Sequence, residues 1–233
     1  MIDLTGRTDI AVPEEVLAEL VTACSSLDLD LLVVGAAARD LVIHALQESD
    51  PVRATKDVDI AVAVRDYEQF TALAHRLDRT RRKGRPLHKF TVLGVEVDVV
   101  PFGGIERDRG VLFADDHLLD VTGIQEAYAT SVTVRMPQGT EIRAAAAPAQ
   151  TALKILAWRD RHQANPKDGL DLGVILEALS EDPFDDEVWE DDEALDATGA
   201  DIVAAASYHY ARIAAEAFTP ADGQAVLNSD SFW

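Results

Sequence analysis

The sequence predicts an α+β fold, with strands and helices mixed through residue 147 and helices alone after it. Three observations predict it. The segments TKDVDIAV (55–62) and VEVDVVPF (95–102) alternate apolar and acidic residues with the period of a strand. DLDLLVVGAAARDLVIHAL (28–46) reads as a buried strand, a turn at Gly35 and a helix of small residues. From residue 148 the apolar residues recur at helical spacing: Leu153, Leu156 and Ala157, then Leu172, Ile175, Leu176 and Leu179.

The elements follow in order. A helix is expected over 13–26, with Pro13 in its first turn and Glu14 and Glu15 at the positive end of the helix dipole. Strand 31–35, helix 36–47 and a polar loop around Ser49 and Pro51 come next. Strand 57–64 leads to helix 66–77, and a basic loop leads to a hairpin, 88–93 and 95–101, turning at Gly94. FGGIERDRG (102–110) reads as a Gly-rich loop. Short strands near 131–135 and 141–145 flank a turn at Pro137 to Gly139, and a last helix lies near 201–217. An α/β domain, 1–147, and a helical domain, 148–233, are expected.

The chemistry concentrates on the strands. Asp57 and Asp59 lie two residues apart, so both carboxylates share one face while Val58 and Ile60 share the other. Two like charges so close are costly unless a cation sits between them. A hard divalent ion such as Mg²⁺ suits carboxylate oxygens; a solvent-facing acidic edge is the alternative. Asp98, sharing a face with Glu96, would add a third carboxylate from a second strand. Gly35 and Ala36 remove side-chain bulk where a helix begins, so a phosphate could reach the backbone N–H groups there.

A small-residue turn, then D-x-D, then a lone strand Asp resembles the nucleotidyltransferase fold of polymerase-beta-like enzymes, CCA-adding enzymes and aminoglycoside nucleotidyltransferases. VVGAAARDLV also looks like the GGxxRD stretch of CCA-adding enzymes. PAQTALKILAWRDRHQANPKDGLDLGVIL (148–176) resembles the C-terminal motif of AbiEii-like nucleotidyltransferases, which include toxins of bacterial toxin–antitoxin systems. The resemblance spans about residues 28–180 and implies a mixed sheet with flanking helices, followed by a helical region. It also implies two-metal transfer of an NMP from an NTP. Asp57, Asp59 and Asp98 would hold two Mg²⁺ ions. Gly35, Ala36, Arg39, Arg53 and Lys56 would meet the nucleotide. Lys154 would neutralise phosphoryl charge, and Asp171 would orient it. The acceptor would be a tRNA 3′ end, a protein hydroxyl or a small molecule, and a toxin would have a cognate antitoxin. Ala36 departs from the family's G-G or G-S turn, supplying neither a hydroxyl nor glycine's backbone freedom. That departure suits a degenerate nucleotide-binding protein as the non-enzyme alternative.

Each of these residues also has a plainer reading. Arg39 and Asp40 suit a local ion pair, Lys154 and Asp171 an ion pair between packed helices, and Trp158 a packing role. The six histidines show no metal-ligand spacing. Lone Cys24 leaves no internal disulfide and fits a reducing cytoplasm. The absence of a long apolar run predicts no membrane span, and MIDLTGRTDIAVPEE does not read as a signal peptide.

The net charge of −21 would repel nucleic acid. The charge is uneven, however. Residues 76–89 hold seven of the 21 basic residues and one acid, Asp78, whereas 181–201 hold eleven acids and no base. The first run suits contact with triphosphate or a tRNA acceptor, or a solvated loop; the second reads as a surface or disordered loop.

Overall fold

A mixed seven-stranded sheet carries the N-terminal two thirds of the molecule. The computed structural model describes residues 1–49, 57–77, 86–162, 167–220 and 223. The sheet strands are β1 (Ile2–Asp3), β2 (Leu31–Val34), β3 (Asp57–Val64), β4 (Lys89–Val92), β5 (Val95–Gly103), β8 (Val132–Arg135) and β9 (Glu141–Ala144). A separate hairpin is formed by β6 (Gly110–Leu112) and β7 (Leu118–Asp120). The helices are α1 (Glu14–Ser25), α2 (Gly35–Arg39), α3 (Tyr67–Leu77), α4 (Ile124–Ala129), α5 (Ala147–Arg161), α6 (Lys167–Ala178), α7 (Asp185–Trp189), α8 (Asp192–Thr198) and α9 (Ile202–Glu216).

The sheet order is β1-β8-β9-β2-β3-β5-β4. Strand β3 sits near its middle, antiparallel to β2 and parallel to β5, and β4 returns antiparallel at the edge. This is the mixed sheet with flanking helices that the sequence predicts. Period-two alternation sets its faces: Val58, Ile60 and Val62 are buried on β3, as are Val97 and Val99 on β5. Helices α1 and α3 cover the sheet with Leu17, Leu20, Phe70 and Leu73. Glu14 does more than suit a helix dipole. It is buried, and its carboxylate accepts the backbone N–H groups of Gln138 at 2.7 Å and Thr140 at 3.0 Å, tying α1 to the β8–β9 turn.

A second apolar cluster lies among the C-terminal helices, around Ile175, Leu179, Val188, Ala205 and Tyr210. Ile43 and Ala147 belong to it and lock it to the sheet region. Among the described residues no helix is long and apolar enough to cross a membrane.

Four expectations need correction. Helix α2 begins at Gly35 and gives way to a π-helical turn, Asp40–His44, in place of one α-helix over 36–47. Strand β5 runs on through Gly103, because its register with β3 continues to Val64, so the loop at 102–110 starts later. The β6–β7 hairpin and α4 have no counterpart among the expected elements. The acidic stretch 181–201 is not a loop: it folds into α7 and α8. Phe184, Val188, Ala194 and Leu195, scattered among the acids, turn inward to the second cluster. Asp191 caps α8 by accepting the Ala194 N–H at 3.1 Å. It also accepts from His209 Nδ1 at 2.7 Å and from Arg212, both on α9. Local charge composition hid this helical pair because a few apolar residues at the right spacing suffice to anchor it.

Candidate active site

The cleft begins where β2 hands over to α2. Gly35 adopts φ +64°, and a Cβ built there would come within 2.3 Å of Asp59 Oδ2. The glycine therefore makes room for the Asp59 carboxylate as well as for the turn. A side chain at 35 would push that carboxylate away and strain the backbone. Ala36 follows in the cleft wall.

Parallel pairing places Asp59 directly beside Asp98, and Asp57 beside Glu96. Asp59 and Asp98 form the acidic floor of a cleft of about 660 Å³. Asp57 is exposed at the start of β3, on the same face but outside the residues that line the cleft. Burial, with the like charges of Asp98 and Asp57, pushes the Asp59 pKa up to about 6, against the pull of Lys154 and Lys89. Burial contributes most to this rise, and the two lysines do not cancel it.

Lys89, on the edge strand, was not singled out by its sequence neighbourhood. The β4–β5 hairpin sets it opposite Asp98, with Nζ donating to Oδ1 at 2.8 Å and Oδ2 at 2.5 Å. Glu96 accepts from the same ammonium at 3.4 Å. Burial disfavours the charged lysine, but the hydrogen bond to Asp98 and the surrounding carboxylates raise its pKa above the ordinary value.

A second charged group faces the floor from the helices. Lys154 on α5 donates to Asp168 and Asp171 on α6, each at 3.0 Å. Arg39 is 5% exposed, pairs with Asp40 at 3.2 Å and approaches Asp171 at 3.9 Å. The ion pairs expected on plainer grounds therefore form, and Arg39, Lys154 and Asp171 line the same cleft as Asp59. Asp168, buried at 4% exposure and outside the cleft lining, shares Lys154 with Asp171, although only Asp171 was a candidate. Close α5–α6 packing makes this possible: a Cβ on Gly169 would lie 2.7 Å from the Trp158 ring. Trp158 is thus a packing residue between these helices.

The remaining wall is largely apolar, from Leu118, Leu119, Leu153 and Leu156. His88 and His117, stacked at 5.4 Å, also line the cleft. Gln150 lines it too, with Nε2 donating to the Ala145 carbonyl at 2.8 Å. None of these three residues had a local signal. Arg53, Lys56 and residues 78–85 of the basic run lie outside the described residues.

Among the described residues no three His, Cys, Asp or Glu side chains converge as a metal cage. Mg²⁺ does not require one: one or two carboxylates plus substrate phosphates are its usual ligands. Asp59, with its raised pKa, and the adjacent Asp98, which Lys89 partners, could supply those two carboxylates.

No protein-family model matches this chain, and no curated protein matches it at a significant level. Seven chains of solved structures do match. The solution structure of the antibiotic-resistance factor ANT(2'')-Ia is 14% identical, with 87% of this chain and 93% of that chain covered and a TM-score of 0.43. The crystal structure of ANT(2'')-Ia in complex with adenylyl-2''-tobramycin is 12% identical, covering 84% and 98%, with a TM-score of 0.42. An antigenic nucleotidyltransferase-like protein from Paracoccidioides brasiliensis is 16% identical, covering 84% and 94%, with a TM-score of 0.45.

Proposed function

We propose that the protein is a Mg²⁺-dependent nucleotidyltransferase, moving an NMP from an NTP to an acceptor. The observation that carries this reading is the in-register pair Asp59 and Asp98 on the floor of a cleft whose facing wall bears Lys154 and Arg39. Carboxylates that repel each other opposite cations suit a triphosphate held with divalent metal.

Asp59 and Asp98 would hold Mg²⁺, with Asp57 joining them at the mouth and a second ion completing the pair. Bound metal would neutralise phosphate oxygens and lower the pKa of the attacking hydroxyl. Backbone N–H groups at Gly35 and Ala36 would meet the β- and γ-phosphates. Lys154 would balance charge on the transferring phosphoryl or the leaving pyrophosphate, held in place by Asp168 and Asp171. Arg39, with Arg53 and Lys56, would contact the nucleotide. In this arrangement the α/β domain, 1–147, would carry the metal, the triphosphate and Arg39, and the helical domain, 148–233, would supply Lys154.

For the acceptor we favour a tRNA 3′ end or a protein hydroxyl, in an AbiEii-like toxin with a cognate antitoxin. The basic run 76–89 supports an RNA acceptor. The net charge of −21 favours a second reading, transfer to a small cationic molecule. The test is incubation with Mg²⁺ and each α-³²P-labelled NTP, with total tRNA or an aminoglycoside added. Label on tRNA or on protein supports the first reading, and label on the aminoglycoside the second. Absence of both transfer and saturable NTP binding would refute nucleotidyl transfer.

A further inference from the structure

We propose that Lys89 is a built-in counter-cation that competes with the divalent ion for Asp98, so that metal enters the floor by displacing it. The inference rests on the reading of that floor as metal-holding. The ammonium already lies against both Asp98 oxygens, at 2.8 and 2.5 Å. A metal bound by Asp98 would sit against those same two oxygens, where the ammonium takes up part of their lone-pair capacity and repels a second cation.

The placement is enforced by the fold. Leu93 and Gly94, with φ of 48° and 86°, form the two-residue turn between β4 and β5. That turn pairs Val92 with Val95, Phe90 with Val97 and hence Lys89 with Asp98. A one-residue slip would turn Phe90 and Val92, both buried, out of the core. The lysine itself is free to leave. Its side chain is 30% exposed, on an edge strand, with a flexible four-carbon stem. Lys154 differs, because the side chains of its two partners, Asp168 and Asp171, are 6% and 17% exposed, whereas that of Glu96, the second partner of Lys89, is 50% exposed. Lys89 thus relieves part of the floor's charge while no metal is bound, and weakens metal binding by the same amount.

The test is titration of the metal-free full chain with Mn²⁺, reading free ion by electron paramagnetic resonance. Lys89→Gln should bind Mn²⁺ about tenfold or more tightly than the wild type, since one neighbouring positive charge is gone. Lys89→Arg, which keeps the charge, should stay within a few-fold of the wild type, and Asp98→Asn should lose binding. Equal or weaker binding by Lys89→Gln, with Asp98→Asn still defective, would overturn the proposal and leave the metal reading standing. Absence of saturable binding in both wild type and Lys89→Gln would overturn the proposal, and the transfer assay with NTP and Mg²⁺ then decides the metal reading separately. If Lys89→Gln is unfolded without metal, folding on addition of Mn²⁺ supports the competition. Failure to fold in excess Mn²⁺ makes the ion pair structural and overturns it.

Discussion

The floor and the helical wall of the cleft both press carboxylates against a lysine, yet they differ in balance. On the wall, Lys154 and Arg39 interleave with Asp168, Asp171 and Asp40, each cation lying between acids. On the floor, Lys89 faces Asp98 and Glu96, while Asp59 and Asp57 add further negative charge. The wall, with two cations among three acids, is the kind of cluster that fastens two helices and holds its lysine in place. The floor carries a cost that its own residues leave unrelieved, and a bound divalent ion would relieve it.

The sharpest way to break this contrast is Asp59→Asn. Transfer activity should fall at least about a hundredfold, as when one preorganised electrostatic group is removed. The same variant should be more stable than the wild type without metal, because a crowded charge has been deleted. Paired activity and urea-melt measurements check both; a variant that is less stable would mean the floor is not overcharged.

The pH dependence of stability comes next in size. The folded pKa of Asp59, about 6, lies above its ordinary value of 3.8. The folded chain therefore binds more protons than the unfolded one between those values, and the contribution of Asp59 to stability falls as pH rises through that window. Its full size is up to about 3 kcal/mol. Wild-type stability minus that of Asp59→Asn, measured without metal from pH 4 to 7, should decline through this range. A flat difference would show that the carboxylate is not perturbed.

The wall should behave oppositely. Lys154→Met leaves Asp168 and Asp171 facing each other without their shared ammonium, and should cost about 2 kcal/mol. Excess Mg²⁺ should raise the melting temperature of this variant by no more than it raises that of the wild type. A larger rise would mean that metal also serves the wall.

Several parts of this site were legible beforehand. The D-x-D pair shares a face because strand alternation is a local steric rule. The hairpin around Gly94 was visible too, and counting outward from a two-residue turn pairs residue 89 with 98. The signal for Lys89 was therefore present but lay unread inside a charge run. Residues 181–201 failed for the opposite reason: composition outweighed the few apolar residues that anchor α7 and α8. His88, His117 and Gln150 come from separate segments with no pattern between them.

By itself, then, the sequence determined the periods: which residues form strands, which carboxylates share a face, where small residues permit a turn. These depend on backbone sterics acting over a few neighbouring residues. The tertiary structure decided the neighbours. It set Asp59 beside Asp98 through a long crossover, Gly35 against Asp59, and Lys154 between two aspartates of the next helix. Those pairings follow from burying the sheet core and the helical cluster together, a condition on the whole chain that no local window contains.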